Sequence, residues 1–478
     1  MIISENLKKE RENSNKNLII EKNKVTYTNY KNLFSEEKVL FLPSKLERFV
    51  NISTDLLTLE NGKEVYYFKG YLIACDDDYI CDKCQNRMHI NGSNNITLKH
   101  IPIGSTPSFL CFPIIQFLCP TCGNTHMQKI PFKAPDHLIT VQANNYVESL
   151  LSTGNYTNKD VSYITNIGRN IVKDIDKKRL NEKYTVNGEG KELKKPEEYA
   201  KYLAVDEFKL HNGYKYATHI IDLDTGKVLW IQKGKKKKVV YDFIEHVGIE
   251  WMNHVEAIAC DMNSDFEQAF RNKCPHINIV FDYFHIVKNF NEKVIGAIRK
   301  DEQKRLEDSG DKEAAKTLKR SKYILTSSPK TLIKKDKDAD QNKTITKESK
   351  LFNLEEQTQR GGKVDKFNKI MKENKLLFEV DFIKEEIRYA YSLDDEEEMI
   401  EVIDAIIELC EEKDNKHFNW FANLLKNHKY GIITHAKYKI SSGKIEGINN
   451  KIKTLRRQAY GYSDDEYFFL KIFDISRT

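Results

Sequence analysis

Two acidic residues, separated by more than fifty positions, each follow a run of apolar residues typical of a buried strand. Asp206 follows residues 203–205 (Leu-Ala-Val), and Asp261 follows residues 258–260 (Ile-Ala-Cys). Strand ends meet at one edge of an open α/β sheet, where such sheets place their sites. Because two carboxylates brought that close repel, a shared divalent cation is the usual resolution. This pattern predicts metal-assisted chemistry with no covalent intermediate.

A third acid lies in a late stretch with two stripes at helical spacing. The apolar stripe is Ile445, Ile448, Ile452 and Leu455, and the polar stripe is Glu446, Asn450, Lys453 and Arg457. We expect Ser441 or Ser442 to cap this helix and Glu446, in its first turn, to complete a site for two divalent cations. Its basic remainder, which includes Arg456, suits a phosphate backbone. An ordinary solvated amphipathic helix is the alternative.

Four of the nine cysteines form two CxxC pairs, Cys81 with Cys84 and Cys119 with Cys122. Two such pairs can supply the four thiolates of a tetrahedral zinc site, which would stabilise a small β module. The residues between the pairs must hold a hairpin or loop, such as that around 101–104. Unmetallated buried cysteines are the less favoured alternative. The pattern leaves open whether another side chain joins the site: Cys75, Cys111, His89, His100 or His126.

Composition favours a multidomain chain without export or membrane signals. The chain has 478 residues, 40% of them hydrophobic, and a net charge of +6, which alone implies little about partners. We see no signal peptide and no run of 18 apolar residues, so we expect a cytoplasmic protein without a membrane span.

The order of predicted elements divides the chain into six segments. These are a poorly ordered leader (1–45), a zinc-ribbon-like β module (46–135), a helix-turn-helix (136–185), a ribonuclease-H-like mixed sheet (200–300), an all-helical insertion (301–435) and the last part of the catalytic domain (436–478). The helix-turn-helix assignment competes with a plain helical linker, and it places Arg169 and Lys173 on a basic second helix suited to DNA.

The prediction of a mixed sheet depends on the β-β-β-α-β-α-β order of elements between residues 201 and 285. This order predicts three meandering strands followed by two strands added through helical crossovers, with the first and fourth strands side by side. Asp282, after the fifth strand, competes with Asp261 for the second catalytic position. Asp261 is preferred because its strand neighbours the first.

Four motifs in this order resemble the DDE transposases of bacterial insertion sequences, the ISL-three group. They are Val205-Asp206-Glu207-Phe208, Cys260-Asp261-Met262, the run from Phe281 to Asn289, and the run from Gly443 to Lys453 with Arg456 to Tyr462. The resemblance implies a magnesium-dependent enzyme with Asp206, Asp261 and Glu446 as its catalytic triad. Asp282 and His285 would form an accessory DxxH feature near the site.

The same resemblance implies double-stranded DNA as partner and a homo-oligomer when bound to it, with the protein associated with the nucleoid. The expected reaction is metal-dependent cleavage and strand transfer at the terminal inverted repeats of an insertion sequence. Two alternatives are a metal-dependent nuclease that cuts without joining and a DNA-binding regulator whose catalytic site is idle. The presence of all three carboxylates argues against the regulator.

Overall fold

The structure, a computed structural model, describes residues 46–188, 190, 192–212, 215–262, 264–340, 344–345, 357–358, 362–459 and 461–477. The predicted leader, residues 1–45, lies outside these. The chain divides into two compact units. The described part of unit 1 comprises residues 46–194 and 455–476, and unit 2 comprises residues 195–454 and 477.

Unit 1 contains a five-stranded sheet. Its strands are β1 (Phe49–Thr58), β2 (Glu64–Leu72), β3 (His89–Ile103), β4 (Thr106–Leu118) and β5 (Thr125–Met127). They are ordered β1-β2-β4-β3 with β5 on β4, and only the β2–β4 pair among these is parallel. The predicted hairpin between the cysteine pairs is confirmed, and it turns at Gly104, whose φ is 60°. Strand β3 includes the polar stretch 93–95, which pairs with β4.

Three helices follow this sheet in unit 1, within the segment predicted to be helical. They are α1 (Val141–Ser152), α2 (Asn158–Thr165) and α3 (Arg169–Tyr184). Thr157 caps α2 in a capping box with Asp160, and Asn166 ends the helix in the left-handed conformation (φ 56°). Buried side chains from all three helices, such as Val147, Val161 and Val172, form one core cluster.

Unit 2 is built on a second five-stranded sheet. Its strands are β6 (Tyr202–His211), β7 (Lys215–Asp222), β8 (Val228–Lys233), β9 (Ala257–Cys260) and β10 (Asn278–Phe281). The order is β10-β9-β6-β7-β8. Strands β6, β7 and β8 form an antiparallel meander, and β9 and β10 are added in parallel on the other side of β6. The predicted pairing of the first and fourth strands is therefore confirmed.

Helices surround this sheet and fill most of the rest of unit 2. They are α4 (Lys237–Val247), α5 (Ile249–Met252), α6 (Ser264–Lys273), α7 (Tyr283–Asn289), α8 (Gly296–Asp308), α9 (Lys312–Leu318), α10 (Lys322–Thr326), α11 (Pro329–Asp340), α12 (Lys363–Glu373), α13 (Lys375–Ala390), α14 (Glu396–Glu411), α15 (Lys416–Tyr438) and α16 (Gly443–Gln458). A π-helical turn, Phe290–Ile295, joins α7 to α8. The insertion is not wholly helical as predicted, because the two-residue strands β11 (Thr344–Ile345) and β12 (Gln357–Thr358) pair within it.

One large core joins the unit 2 sheet to the helical insertion. Sheet residues such as Ile258 and Phe281 belong to the same buried cluster as Phe418 and Phe421 of α15. Gly431 lets α15 lie close to the sheet, since a Cβ there would come 2.5 Å from the ring of Phe281. The insertion thus packs directly against β10, the strand that precedes Asp282.

The last helix, α17 (Asp465–Ile475), belongs to unit 1, where it packs on α3. The division between the units falls within α16, at residues 454 and 455. This division differs from the predicted segment 436–478, whose role as one catalytic piece stays a prediction. No helix in the described part of the chain is long and apolar enough to cross a membrane.

Candidate active site and candidate metal centre

The register of β6 against β9 places two of the predicted acids at adjoining positions. Val205 pairs with Cys260 in this parallel ladder, and the next residues are Asp206 and Asp261. Asp206 does not end its strand, contrary to the prediction, because β6 continues to His211 in antiparallel pairing with β7. The acid instead lies where the parallel ladder stops.

Asp206 is a desolvated carboxylate with both oxygens hydrogen-bonded. The backbone N–H of Glu207 donates to Oδ1 at 2.8 Å, and Asn449 Nδ2 of α16 donates to Oδ2 at 2.6 Å. Burial raises the pKa of Asp206, and the neighbouring charge of Asp261 acts in the same direction, whereas these two donors and His285 oppose it. A cation at this position would relieve the repulsion between the two carboxylates.

Asp261 is more accessible than Asp206, with 44% of its side chain exposed. Its Oδ1 accepts a hydrogen bond from the backbone N–H of Met262 at 2.6 Å. The same oxygen lies 3.2 Å from Nδ1 of His285, in the first turn of α7. A carboxylate that is fixed at one oxygen and open to solvent is suited to bind a metal ion.

Asp282, the competitor for the second position, has different surroundings. It is only 4% exposed and follows β10 directly. Its Oδ1 accepts from the N–H of Phe284 at 3.1 Å and caps α7, while its Oδ2 accepts from the backbone N–H of Ser442 at 2.9 Å and from the Ser442 hydroxyl. Both oxygens are therefore committed to protein donors.

Glu446 lies on the exposed side of α16, as the stripes predicted, while Ile445, Ile448 and Ile452 are buried. Glu446 and Asn449 are three residues apart and so share a helix face, with Cβ atoms about 5–6 Å apart. Asn449 contacts Asp206, so Glu446 lies one helical turn along α16 from a residue that bonds one of the strand acids. Among the described residues, the three carboxylates do not form a set with all ligand atoms within 4.8 Å.

Two side-chain contacts at this site are not predicted from the sequence, those of Asn449 and Ser442. Asn449 belongs to neither stripe, although its place at the edge of the apolar stripe indicates an amide that needs a partner. Ser442 is one of the two serines predicted to cap α16. Its carbonyl oxygen does accept the first helical bond, from Glu446 N at 2.9 Å, but its hydroxyl donates to Asp282.

The residues predicted to contact DNA differ in the exposure and contacts of their side chains. Four of them are exposed: Arg169, Asn450, Lys453 and Arg457. Lys173 instead pairs with Asp464 at 3.2 Å, and the half-buried guanidinium of Arg456 lies 5.2 Å from the centre of the Phe468 ring.

The four cysteines of the two CxxC pairs converge in unit 1. Their sulfur atoms all lie within 4.8 Å of one another. The Sγ separations are 3.5 Å for Cys84 to both Cys119 and Cys122, and 3.6 Å for Cys81 to Cys122. A tetrahedral zinc with bonds of about 2.3 Å requires sulfurs about 3.8 Å apart, whereas a disulfide requires about 2.05 Å. The geometry fits four ligands around one metal ion.

The two cysteine turns have the same backbone design. Cys81 and Cys119 each accept at their carbonyl oxygen from the N–H four residues on, at 2.9 Å, and a residue with positive φ follows each pair: Gln85 (60°) and Gly123 (69°). The backbone N–H of Cys84 is the main cause that lowers the pKa of Cys81 to about 6. Such a turn favours the thiolate that a metal needs.

Side chains that could have joined the four cysteines make other contacts. Arg48 Nη1 lies 2.6 Å from Cys75 Sγ, and Thr97 Oγ1 lies 3.7 Å from Cys111 Sγ. The ring of His126 bonds the Asp78 carbonyl at 2.9 Å, and His100 bonds Thr140 at 2.8 Å. Among the described residues, the metal-ligating group contains the four cysteines alone.

Comparison with known proteins identifies the class to which this fold and these sites belong. A family model described as a transposase, of the DDE type and the ISL-three group, matches residues 203–472, more than half of the chain. The chain belongs to this family of transposases. The resemblance drawn from the four motifs is therefore confirmed.

Curated relatives agree with this family. The chain is 26% identical over 395 residues to the transposase for insertion sequence element IS1001 of Bordetella parapertussis, covering 82% of this chain and 87% of that protein. It is 24% identical over 281 residues to the transposase for insertion sequence element IS1557 of Mycobacterium tuberculosis, covering 54% of this chain and 56% of that protein.

Proposed function

We propose that this protein is a DDE transposase that binds the terminal inverted repeats of its insertion sequence, cuts the DNA there and joins the ends to a target. The observation that carries the proposal is the adjoining position of Asp206 and Asp261 on neighbouring parallel strands. Asn449 of α16, one helical turn from Glu446, donates a hydrogen bond to Asp206. The strand order of unit 2 supports a ribonuclease-H-like sheet.

Asp206, Asp261 and Glu446 would hold Mg²⁺ or Mn²⁺, which supplies positive charge to activate the attacking hydroxyl and to stabilise the departing oxygen. The donor set fits such ions because all three side chains offer hard carboxylate oxygens. Asp206 is positioned by Glu207 and Asn449, and Asp261 by Met262 and His285. These contacts restrict the carboxylates before any substrate binds.

The proposal predicts that Asp261→Asn abolishes strand cleavage while leaving DNA binding intact. Asp261 would help to hold the metal that stabilises the developing charge, so its loss should cost at least the roughly 10²–10³-fold in rate that is typical of removing one stabilising group. The test is a supercoiled plasmid that carries the element ends, incubated with the protein and Mg²⁺. Asn272→Ala, at an exposed position of α6, is a control expected to keep wild-type activity.

The three candidate functions give different products in this assay. A transposase joins cut ends to target DNA, a nuclease leaves linear or nicked plasmid, and an idle regulator only shifts the plasmid in a gel. Full joining activity in Asp261→Asn would contradict the assignment of the site.

We further propose that unit 1 carries the DNA-recognition elements, with α2 and α3 as a helix-turn-helix and a zinc ion in the cysteine cluster. The exposed Arg169 at the start of α3, and separately Asn450 and Lys453 on α16, are the proposed phosphate contacts. The partner is double-stranded DNA of the element ends and target, bound by a homo-oligomer at the nucleoid in the cytoplasm.

The zinc proposal predicts about one zinc per chain in protein purified without chelators. Cys84→Ser should lose most of that zinc and destabilise unit 1, because a structural zinc contributes directly to folding. Cys111→Ser, outside the cluster, is the matched control that should keep the metal. Atomic absorption of the three purified proteins decides the matter, and full zinc content in Cys84→Ser would contradict it.

A further inference from the structure

We infer that Asp282 is a positioning residue that fixes two helices at once, the one that carries His285 and the one that carries Glu446. This inference rests on the proposed function for its consequence in catalysis, but its structural part can be tested without activity. The acid is 4% exposed and lies at the end of β10, outside the pair formed by Asp206 and Asp261.

The first contact of Asp282 sets the position of α7. Its Oδ1 accepts from Phe284 N at 3.1 Å and so caps the helix. His285 is the third residue of that helix and places Nδ1 3.2 Å from Asp261 Oδ1. A carboxylate cap at this end fixes the first turn of α7 and also suits the helix dipole. The orientation of His285 toward Asp261 therefore depends on Asp282.

The second contact of Asp282 sets the start of α16. Its Oδ2 accepts from both the backbone N–H and the hydroxyl of Ser442, 160 residues away in the chain. The carbonyl of Ser442 in turn accepts from Glu446 N at 2.9 Å, which is the first hydrogen bond of the helix. Glu446 is thus one helical turn from a residue anchored to the strand end.

The chemistry of these contacts explains why a carboxylate is needed. Three N–H or O–H groups point at the two oxygens of Asp282, and a carboxylate is acceptor-only, with room for all of them. In Asp282→Asn, whichever way the amide turns, its NH₂ faces either Phe284 N or the Ser442 donors. One of the two helices must lose its anchor, at the cost of a buried unpaired donor.

Amide hydrogen exchange of the full-length protein tests the anchor directly. In Asp282→Asn and Ser442→Ala, we expect the amides of Glu446 and Gly447 to exchange faster than in wild type by about 10- to 100-fold, as for loss of a hydrogen bond to a charged group. Ser442→Thr keeps the hydroxyl and should restore slow exchange. Thr454→Ala, at an exposed position more than two turns further along α16, is the control. Unchanged exchange in both Asp282→Asn and Ser442→Ala would overturn the inference.

Cleavage kinetics test the consequence for catalysis. With element ends as substrate, Asp282→Asn should lower kcat by about 10-fold or more while the Kd for the ends stays within about twofold. A variant that has unfolded would lose both, and exchange across β6 and β9 would reveal it. Normal kcat together with fast exchange at Glu446 would overturn the catalytic part. A wild-type protein that never cuts the ends would refute the proposed function, while the exchange data still decide on the anchor.

Discussion

Asp206, Asp261 and Asp282 show how three aspartates near one sheet edge acquire different roles. Asp282 is buried with both oxygens bound to backbone and hydroxyl donors, whereas 44% of the Asp261 side chain is exposed. Asp206 lies between these extremes, and burial raises its pKa. A metal ion needs oxygens that it can reach, so solvation and partners separate the candidate ligands from the anchoring residue.

Single residues also decide the geometry of the cysteine cluster. Gln85 and Gly123 occupy equivalent positions after the two CxxC pairs, and both have positive φ. Glycine adopts this conformation without steric cost, whereas a side chain such as that of glutamine is strained there.

We predict that Gln85→Gly is neutral to stabilising, by up to about 1 kcal/mol, because relief of the strain outweighs the extra entropy of the unfolded chain. The reverse change at the equivalent position, Gly123→Ala, should destabilise unit 1 by about 1 kcal/mol, although no atom outside the adjacent residues lies within 4 Å of its added Cβ. Urea unfolding of the zinc-loaded proteins measures both. Equal destabilisation by the two changes would contradict the argument from φ.

At the scale of elements, α17 is held to α3 by a buried network of charges within unit 1. Asp176, which is fully buried, accepts from Tyr467 Oη at 2.6 Å and from Lys471 at 2.9 Å. Asp474 accepts from Arg179 at 2.8 Å and from Tyr184 Oη at 2.7 Å. Buried charges of this kind are tolerated only when fully paired, so the network specifies one docking of α17 on α3.

The network predicts that Tyr467→Phe destabilises unit 1 by about 1.5–3 kcal/mol, the range for a hydrogen bond to a charged group. The ring remains, so the loss reports the hydroxyl and not the packing. Tyr163→Phe, whose side chain is 86% exposed, is the matched control and should change nothing measurable. Denaturant unfolding of the two variants checks this, and equal stabilities would show that the hydroxyl contributes little.

At the scale of the whole molecule, a buried histidine makes the stability of the protein depend on pH. His100 lies buried in unit 1, and burial lowers its pKa to about 4. Its ordinary value is about 6.5, so between these values the unfolded chain binds a proton that the folded chain does not. Stability therefore rises with pH across this window and is lost as the pH falls from about 6.5 to about 4.

We predict that His100→Gln reduces the pH dependence of unfolding of unit 1 over this window by at most about 3 kcal/mol, from the difference between the two pKa values. Protonation of the cysteines contributes to acid sensitivity in the same unit, but it is common to both proteins and cancels in the comparison. Thermal unfolding at a series of pH values measures the difference. Parallel pH profiles for the two proteins would contradict the role of His100.

Much of the architecture could be predicted because buried strands have a strong local pattern of apolar residues between turns. Apolar runs separated by turns predict the five strands of unit 2 in their order along the chain. The strand at residues 93–95 could not be predicted from its polar side chains, because pairing with β4 and not local preference makes this stretch a strand. The extent of β6 beyond Asp206 has the same cause.

The amino-acid sequence by itself determined which residues are acids and thiols, their order along the chain and the family to which the chain belongs. Only the tertiary structure decided that Asn449 bonds Asp206, that Ser442 bonds Asp282, and that α17 docks on α3. These contacts join residues 160 to nearly 300 positions apart, and no local periodicity encodes such a distance. They arise because buried polar groups must find partners, and the fold decides which ones are within reach.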